Sequence, residues 1–406
     1  MKNKSKSIYK TNKKHICILS DCFIPTRNSA SGMIYNLSKY LLDEGYSITC
    51  IHAGYNPKNK PEIFKNYNIK DINFITSELF IKLRNKNNFM RFFFELSMSI
   101  NLSLKSLRYF KYFKNNDLLI WYGPSAFFWL PALVIKLISG CPLYYIVRDV
   151  FPDWLYSTGL IKNKFLFLIL RILTNPQYSL PNKIGVESPG NIKLIKNYVV
   201  DEDKIEVLYN WPSLNINSNL NCKDVNYKIK KNKNIKGIYS GNFGIAQDSK
   251  NLLNFLLKIK NKLTLKVDFF TKNLVEQKEI TFRNPVSENE LMFLFKKYQF
   301  GVLSLNTKLN THNIPGKFVS YTQFGLPVLC FSNLNSTIAN LIITNKCGIV
   351  IDIYSSFEKN CEIIKKFLKI IERNNNSYSK NSRKVYQKLF DIKNVKSKIE
   401  NLIKHD

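Results

Sequence analysis

Residues 311–329 read THNIPGKFVSYTQFGLPVL, and the prediction of the fold starts from them. A polar loop leads into a segment that predicts a helix. Gly325 ends this helix, because glycine accepts the left-handed conformation found after a helix C-terminus. Pro327 prevents the helix from continuing, and Val328–Phe331 then predicts a buried strand. With a strand predicted upstream at 301–305, this is the strand–loop–helix–strand unit that places ligand sites at the carboxyl ends of parallel strands.

The loop and the helix start carry groups that suit an anion. Lys317 follows Pro315-Gly316 at the predicted helix start, where peptide N–H groups and the helix dipole favour negative charge. A lysine beside such amides suits a diphosphate. The candidate ligand-binding residues of this segment are His312, Asn313, Pro315, Gly316, Lys317, Ser320 and Tyr321.

Both halves of the chain predict alternating strands and helices. In the N-terminal half, a strand at 15–19, a helix at 32–44 and a strand at 47–52 form a βαβ opening. It lacks GxGxxG, so a dinucleotide-binding fold is not indicated. In the C-terminal half, a strand at 236–240 precedes the turn Gly241-Asn242-Phe243-Gly244, whose glycines suit the close approach of a phosphate. The chain therefore predicts an α/β protein with two Rossmann-like domains.

The predicted domain boundaries follow changes in composition. We predict a basic leader at 1–14, an N-terminal domain at 15–212, a polar lysine- and asparagine-rich linker at 213–234, a C-terminal domain at 235–385 and a closing helix at 386–406.

The composition bounds the functional classes. The 406 residues are 45% hydrophobic and 14% aromatic, which leaves room for large cores and excludes wholesale disorder. The net charge of +32 favours anionic partners: nucleic acid, a membrane surface or a phosphorylated substrate. Abundant Lys, Asn and Ile also fit an AT-rich genome, which explains part of the charge without a partner. The chain shows no zinc-finger spacing and no aromatic RNP run, so nucleic acid is not an expected partner.

The cysteines and the apolar segments indicate a cytoplasmic protein. The 8 cysteines form no CxxC pair and predict reduced core cysteines without structural zinc. No apolar segment of a signal peptide follows the basic N-terminus. The apolar run at 118–138 is long enough to span a bilayer, but Gly123-Pro124 interrupts it. A strand, a turn and a buried helix are therefore favoured there.

Two segments mix apolar and basic residues at helical spacing. They lie at 85–114, which includes RFFFELSMSINLSLKSLRYFKYFK, and at 162–173, which includes KFLFLILRIL. Two explanations remain open for them. Each is a helix with one face in the core and a solvated charged face, or a helix that rests on an anionic membrane.

Residues 311–329 resemble the donor-sugar segment of retaining GT-B glycosyltransferases of the family 4-like group, whose pattern ends in K-(F/L)-x-(E/S)-Y-x-x-x-G-x-P-V-L. The form N-x-P-G-K-F-x-S-Y is most similar to that of bacterial O-antigen and capsule transferases, particularly those for L-N-acetylfucosamine. The resemblance covers nearly the whole chain after the leader. It implies the GT-B fold, in which two Rossmann-like domains face a central cleft and the second domain binds the nucleotide sugar.

The resemblance also implies roles for individual residues. Lys317 and the turn at 241–244 would bind the donor diphosphate. Many relatives carry two glutamates eight residues apart where this chain has His312 and Ser320. A serine makes a weaker contact with the ribose than a bidentate carboxylate does, so the standard donor contacts are in doubt here.

The first domain supplies the remaining candidates. Ser31-Gly32 matches an acceptor-side loop. Arg148 and Asp149 are catalytic candidates, with Arg148 meeting a phosphate and Asp149 holding an acceptor hydroxyl; a strand-end salt bridge is the alternative. Glu187, in GVESPGN, is a third catalytic candidate, and a helix cap or surface carboxylate is its alternative.

The function implied is that of a hexosyltransferase or acetamido-sugar transferase in bacterial surface-polysaccharide biosynthesis. It would move a sugar such as N-acetyl-L-fucosamine from a UDP-sugar to a polyprenyl-diphosphate-linked saccharide in O-antigen, lipopolysaccharide or capsule assembly. It would need no cofactor and no metal, since cationic side chains and helix N-termini neutralise the leaving diphosphate. We expect a peripheral location on the inner face of the cytoplasmic membrane. The alternatives are a GT-B sugar-nucleotide epimerase and a non-catalytic binding protein for membranes or nucleic acid.

Overall fold

The computed structural model describes most of the chain. The described residues are 13–24, 26, 29–56, 58–59, 67–79, 88–123, 125–157, 159–213, 235–272, 279–307, 312–373 and 377–403, with the backbone alone at 88–89 and 157. The predicted leader, apart from residues 13–14, and the predicted linker, apart from Ser213, lie outside these residues.

The chain divides into two compact units. The first unit comprises 1–185, 198–206 and 398–406, and the second comprises 186–197 and 207–397. These units differ from the boundaries predicted from composition, because the chain changes unit several times. The C-terminal residues return to the first unit, where the hydroxyl of Tyr46 donates to Glu400 at 2.6 Å and Lys398 pairs with Glu206 at 2.6 Å.

The first unit is built on a seven-stranded sheet with the order β3-β2-β1-β4-β5-β6-β7. Strand β1 pairs in parallel with β2 and β4, β2 with β3, and β4 with β5. The strands are β1 His15–Ser20, β2 Ser47–Ala53, β3 Ile72–Ser77, β4 Leu118–Tyr122, β5 Leu143–Val147, β6 Lys183–Val186 and β7 Ile205–Val207. Strand β4 and strand β5 are buried along their whole length, as expected for central strands covered on both faces.

The second unit is built on a six-stranded sheet with the order β10-β9-β8-β11-β12-β13, and all its neighbouring strands run parallel. The strands are β8 Lys236–Ser240, β9 Lys266–Phe270, β10 Thr281–Arg283, β11 Phe300–Ser304, β12 Val328–Phe331 and β13 Gly348–Ile351. Two clusters of buried apolar side chains cover this sheet and form the core of the unit.

Helices connect the strands of both sheets. They are α1 Ser29–Asp43, α2 Asn88–Arg108, α3 Trp129–Ser139, α4 Asp153–Ser157, α5 Lys164–Thr174, α6 Pro176–Ser179, α7 Pro189–Ile195, α8 Ser249–Lys260, α9 Glu288–Phe295, α10 Gly316–Gln323, α11 Thr337–Thr344, α12 Phe357–Glu372, α13 Ser377–Val385 and α14 Ile392–Glu400. The prediction of an α/β protein with two parallel sheets is confirmed.

The segment from which the prediction started folds as expected. Helix α10 is followed by Gly325 at φ +68°, and the fully buried strand β12 begins three residues later. The closing helix predicted at 386–406 is correct only in part. A π turn occupies Tyr386–Phe390, and Asp391 with its extended ψ of 135° separates it from α14. The helical spacing of apolar residues continues across this break, which is why the sequence did not reveal it.

The apolar run at 118–138 forms a strand and a helix, as predicted. Strand β4 ends at Tyr122, and α3 begins at Trp129 after a short 3-10 turn. Within the described residues, no helix has the length and apolar character needed to cross a membrane. The prediction of reduced core cysteines is confirmed for the seven described cysteines, which are buried and form no disulfide.

The strand order places one reversal in each sheet. In the second unit the chain runs from β8 outward to β9 in one direction, and β11 returns to the other side of β8. In sheets of this kind, ligands bind outside the carboxyl ends of the strands where the order reverses. We therefore expect the ligand site of this unit at the loops that follow β8 and β11.

Candidate functional site

Lys317 lies where the loops after β8 and β11 meet. It occupies the first turn of α10, and its ammonium donates to the carbonyl oxygen of Asn242 at 3.2 Å. The same ammonium lies 4.6 Å from the centre of the Tyr239 ring, a cation–π distance. The structure thus brings together Lys317 and the turn at 241–244, which the sequence placed in one site.

Gly241 makes room for this lysine. Its φ is +110°, and a Cβ added there would lie 3.1 Å from the Cε of Lys317. A larger residue would have to adopt a conformation that L-amino acids rarely take and would crowd the lysine stem. The glycine is therefore explained by the position of Lys317.

Burial changes the protonation of Lys317. The side chain is half-buried, and burial lowers the pKa of its ammonium to about 8. Among the residues that the structure describes, no acidic group counteracts this shift of the pKa. A half-buried cation at the carboxyl ends of parallel strands, with no described acidic group to offset its charge, is suited to an anionic ligand.

The glycine amides of the turn have other partners. The N–H of Gly241 donates to the carbonyl of Phe270 at 2.9 Å. The N–H of Gly244 donates to the side-chain oxygen of Gln247 at 3.1 Å. Both of these N–H groups therefore have acceptors within the protein, and the predicted approach of a phosphate to this turn stays a prediction. At this turn the lysine supplies the positive charge.

Two predicted donor-binding side chains lie in the core. Phe243 is buried and packs against the rings of Tyr239 and Phe269. Tyr321 is fully buried, and its hydroxyl accepts from Ser240 N–H and lies 3.1 Å from the carbonyl oxygens of Ile238 and Val302. These contacts join β8 to β11. We therefore leave the side chains of Phe243 and Tyr321 out of the proposed site.

The remaining residues of the 312–320 segment flank the lysine. Pro315 is the N-cap of α10 with φ −61° and ψ 133°, and Gly316 is exposed. The first turn of a helix leaves N–H groups without intrahelical partners, and they point along the axis away from the helix. Ser320 is half-buried and follows Lys317 by three positions, so the two side chains share one side of α10.

A second group of contacts fixes the loop that precedes α10. The Oε1 atom of Glu187 accepts from the N–H of Ile314 at 3.0 Å and also accepts from the side-chain amide of Asn210. Asn191 donates to the side-chain oxygen of Asn313 at 3.2 Å. His312 Nδ1 lies 3.3 Å from the hydroxyl of Thr337. Glu187 is 2% exposed, so its alternative role as a surface carboxylate is wrong.

Arg148 and Asp149 lie directly after β5 in the first unit, and both are half-buried. The Arg148 guanidinium is 5.7 Å from the centre of the Tyr122 ring. Phe151, two residues after Asp149, is held by a buried tyrosine. The hydroxyl of Tyr178 accepts from the N–H of Phe151 and lies 2.9 Å from the carbonyl oxygen of the same residue. The loop that carries the two candidates is therefore anchored on a buried tyrosine.

Ser31 and Gly32 lie in the first turn of α1, close to the helix start that the sequence predicts at residue 32. The helix begins at Ser29, two residues before them, and both residues are buried. Their predicted place on the acceptor side stays a prediction.

Sequence reasoning missed the partners of the loop before α10. Asn210 and Asn191 stand far from Ile314 and Asn313 in the chain, and neither belongs to a motif. One signal was present: the carboxylate in GVESPGN follows a buried strand, where an unpaired charge is costly. Such a carboxylate must have hydrogen-bond donors, although the sequence does not say which.

Structural comparison shows which fold the chain shares. A glycosyltransferase from Rickettsia africae aligns with a TM-score of 0.60 at 14% identity, covering 97% of this chain and 100% of that one. HepE from Anabaena, solved with UDP and glucose, aligns with a TM-score of 0.61 at 11% identity, covering 96% and 98%. The lipopolysaccharide outer core galactosyltransferase WaaB in its apo form aligns with a TM-score of 0.59 at 12% identity, covering 95% and 99%.

These alignments confirm the predicted GT-B fold. At such identities they show the fold alone. No protein-family model matches the sequence, and no curated protein matches it. The activity is therefore argued from the site.

Proposed function

We propose that this chain is a glycosyltransferase that binds a nucleotide-diphosphate sugar in its second unit. The observation that carries the proposal is the position of Lys317. Its ammonium lies at the reversal of the strand order, at the start of α10, and burial shifts its pKa without an acidic neighbour among the described residues. A diphosphate beside this lysine would be stabilised by the positive charge of the ammonium and would accept hydrogen bonds from N–H groups of the first turn of α10.

The chemistry of sugar transfer explains why a cation belongs there. When the bond between the sugar C1 and the diphosphate oxygen breaks, negative charge grows on the departing diphosphate. A preorganised cation at that place stabilises the transition state more than the bound donor, and only such a difference accelerates the reaction. Lys317 is held by Asn242 and Tyr239 before the donor arrives, so little reorganisation is needed.

UDP is the nucleotide we propose, and N-acetyl-L-fucosamine or a related 6-deoxy-amino sugar is the proposed group. The UDP complex of HepE supports the nucleotide, since that protein shares the fold. The motif N-x-P-G-K-F-x-S-Y, with Ser320 where many relatives have a glutamate, supports the sugar. Ser320 lies on the same side of α10 as Lys317 and would contact the ribose.

The transfer we propose retains the configuration at C1. The acceptor hydroxyl attacks C1 from the face on which the diphosphate leaves, the C1–O bond to the diphosphate breaks, and the departing phosphate takes the acceptor proton. The products are the glycoside and UDP. No protein nucleophile is required, so Arg148 and Asp149 would bind and orient the acceptor rather than form a covalent bond.

The proposed acceptor is a lipid-diphosphate-linked saccharide of a surface polysaccharide, and two helices of the first unit support it. On α2, the core-facing side carries Phe94 and Met98, while Ile100, Leu104 and Leu107 are exposed. Leu104 is 59% exposed. An outer face that is apolar as well as basic supports the second explanation drawn from the sequence, a helix that rests on an anionic membrane.

Helix α5 is more exposed still. Only Leu170 and Thr174 are buried, whereas Phe165 and Ile172 are 71% and 66% exposed. Asn163 caps the helix by accepting from the N–H of Phe165 at 2.8 Å. An ordered helix with such an apolar outer side suits the interfacial region of a membrane.

We infer from the strand order that both helices lie on the same side of their sheet. α2 connects β3 to β4 and α5 lies between β5 and β6, so both connections advance in one direction along the strand order. Crossovers between parallel strands are right-handed, which places helices of the same direction on one face. Basic residues accompany both helices, among them Arg108, Lys111 and Lys164. We propose that this face rests on anionic lipid, which holds the acceptor.

Nucleotide binding tests the proposed function directly. UDP, GDP and dTDP are compared by thermal shift and calorimetry, because a ligand that binds the folded chain raises its melting temperature by mass action. We expect UDP to give the largest shift. Incubation with a UDP-sugar alone then separates a transferase from an epimerase, since epimerisation needs no acceptor. Failure of all three nucleotides to bind would reject the proposal.

A further inference from the structure

We propose that Glu187 is a positioning residue that sets the place of Lys317 through the loop at 312–314, and that it does not touch the reacting atoms. The role given to Lys317 rests on the proposed function. The claim that Glu187 fixes the loop does not depend on any ligand. It replaces the catalytic role predicted for Glu187 from the sequence.

The carboxylate holds the loop through its backbone. The N–H of Ile314 donates to Glu187 Oε1 at 3.0 Å, and the amide of Asn210 donates to the same oxygen. The amide of Asn210 also reaches the carbonyl of Ile314 at 3.5 Å. Both backbone groups of one residue are thereby engaged, and the side chain of Ile314 is itself buried at 2% exposure.

The two residues before Ile314 also contact the segment at 187–191. Asn191 donates to Asn313 at 3.2 Å. The ring of His312 lies so close to Gly190 that a Cβ added to the glycine would be 2.3 Å from Cγ of the ring. Three successive loop residues therefore contact the segments at 187–191 and 210, and the contacts of Glu187 and Asn210 are the ones that hold the backbone leading into Pro315.

Lys317 depends on that path because it follows Ile314 by three residues. Pro315 is the one residue between Ile314 and the helix; its ring fixes its own φ, and its carbonyl accepts from the N–H of Phe318 at 2.9 Å. A shift of the loop would move the start of α10 and, with it, the ammonium. Displacements of about 1 Å at such a distance from the chemistry can cost roughly 10²-fold in rate.

The geometry gives a test that separates positioning from chemistry. Both donors meet the single oxygen Oε1, so Glu187→Gln can present its amide oxygen to both and keep the loop in place. Glu187→Ala removes the acceptor and leaves two buried donors without it. Asn191→Ala is the matched control, because it removes one contact to a loop side chain and none to the loop backbone.

The readouts are hydrogen exchange of a peptide spanning 312–318, the Kd for UDP, and the turnover of a UDP-sugar. We expect Glu187→Gln to keep wild-type exchange, to keep the Kd and to keep turnover within about fivefold. We expect Glu187→Ala to speed exchange of this peptide and to weaken UDP binding by about tenfold or more. Asn191→Ala should change the Kd by no more than about threefold.

Two results would overturn the inference. If Glu187→Gln kept the exchange and the Kd but lost about 10²-fold or more in turnover, the carboxylate would act in the chemistry. If Glu187→Ala left the exchange of the peptide unchanged, it would position nothing. Should Glu187→Ala fail to fold, Glu187→Gln still decides through its turnover. A wild-type chain that binds none of UDP, GDP and dTDP rejects the proposed function, and the exchange data then still decide the structural inference.

Discussion

The two units share a topology and differ in where they place charged and apolar side chains. In the second unit, the loops at the strand reversal bring a lysine to the carboxyl ends of β8 and β11, over a glycine turn and beside a helix start. In the first unit, the outward faces of α2 and α5 carry exposed apolar residues flanked by basic ones. Our proposals assign a small anionic ligand to the second unit and an apolar, anionic surface to the first. The difference lies in loops and outer helix faces, because the central strands of both sheets are buried.

The largest expected effect concerns the lysine. Replacing Lys317 by Met keeps the stem that packs against Gly241 and Tyr239 and removes the charge. Loss of a preorganised charge contact in the transition state costs about 2.7–4 kcal/mol, so kcat/KM should fall by roughly two to three decades. The melting temperature should not fall, since burial disfavours the charged form of this side chain.

Lys258→Met is the control for this prediction, because Lys258 is an exposed lysine on α8 of the same unit. It should leave kcat/KM and the melting temperature unchanged. The sequence predicted Lys317 at a helix start, and the structure places it in the first turn of α10 with its side chain half-buried. Near wild-type turnover for Lys317→Met would move the diphosphate site away from α10 and remove the contrast between the units.

The second prediction concerns the surface of the first unit. The double substitution Phe165→Glu and Ile172→Glu should weaken binding to anionic vesicles by about 10- to 100-fold, since each apolar side chain contributes roughly 1.5–3 kcal/mol on full burial. Both residues are exposed, so the fold should tolerate the change. Cosedimentation with phosphatidylglycerol vesicles and with phosphatidylcholine vesicles measures the effect.

The matched control is a double substitution of the same chemistry on the second unit, Phe293→Glu and Ile343→Glu, where both side chains are also exposed. Equal loss of vesicle binding in both variants would show that the added negative charge alone is responsible. Binding by the wild type that is the same for neutral lipid, or unchanged in high salt, would argue against electrostatic docking.

The third prediction is a pH dependence with opposite signs for binding and stability. Burial lowers the pKa of Lys317 to about 8, so the ammonium is charged at pH 7 and loses its proton as the pH rises through 8. The affinity for UDP should therefore be full below pH 8 and fall above it, by at most about tenfold for each pH unit. Calorimetry at pH 7 and pH 9 measures the change.

The free energy of unfolding should move in the other direction. In the unfolded chain this lysine has its ordinary pKa of 10.5, so the unfolded state binds more protons between pH 8 and 10.5. The contribution of Lys317 to stability therefore rises with pH across that interval. Lys317→Met should abolish both trends at this site, and UDP affinity that stays flat to pH 9 in the wild type would contradict the assignment.

The sequence predicted what depends on local order in the chain. The left-handed Gly325, the strand after it and the position of Lys317 at a helix start all follow from neighbouring residues. The contacts of Glu187 with Ile314 and Asn210 could not be predicted, because they join residues 127 and 23 positions apart. The role of Gly241 was also out of reach. A glycine that offers its amide and one that makes room for a distant side chain look the same in the sequence.

The sequence also failed to predict which side chains are exposed. The apolar spacing of α2 predicted one buried face. It did not predict that the opposite face would carry the exposed Leu104 and Leu107, because apolar residues are frequent enough in this segment to cover two faces of a helix. Tyr321 shows the reverse case. Its motif suggested ligand contact, and its hydroxyl instead joins two strands of the core.

The smallest expected effect is that of metal removal. If the positive charge at the diphosphate comes from Lys317 and the helix N-terminus, EDTA should change turnover of the UDP-sugar by less than about twofold, since no divalent ion is then needed to neutralise the leaving group. The lysine and the ion would be alternative sources of the same charge. Lys317→Met assayed with and without Mn²⁺ therefore sharpens the result. Wild-type activity that EDTA abolishes and Mn²⁺ restores, together with a small effect of Lys317→Met, would show that a metal ion supplies this charge and that the second unit uses its lysine for another purpose.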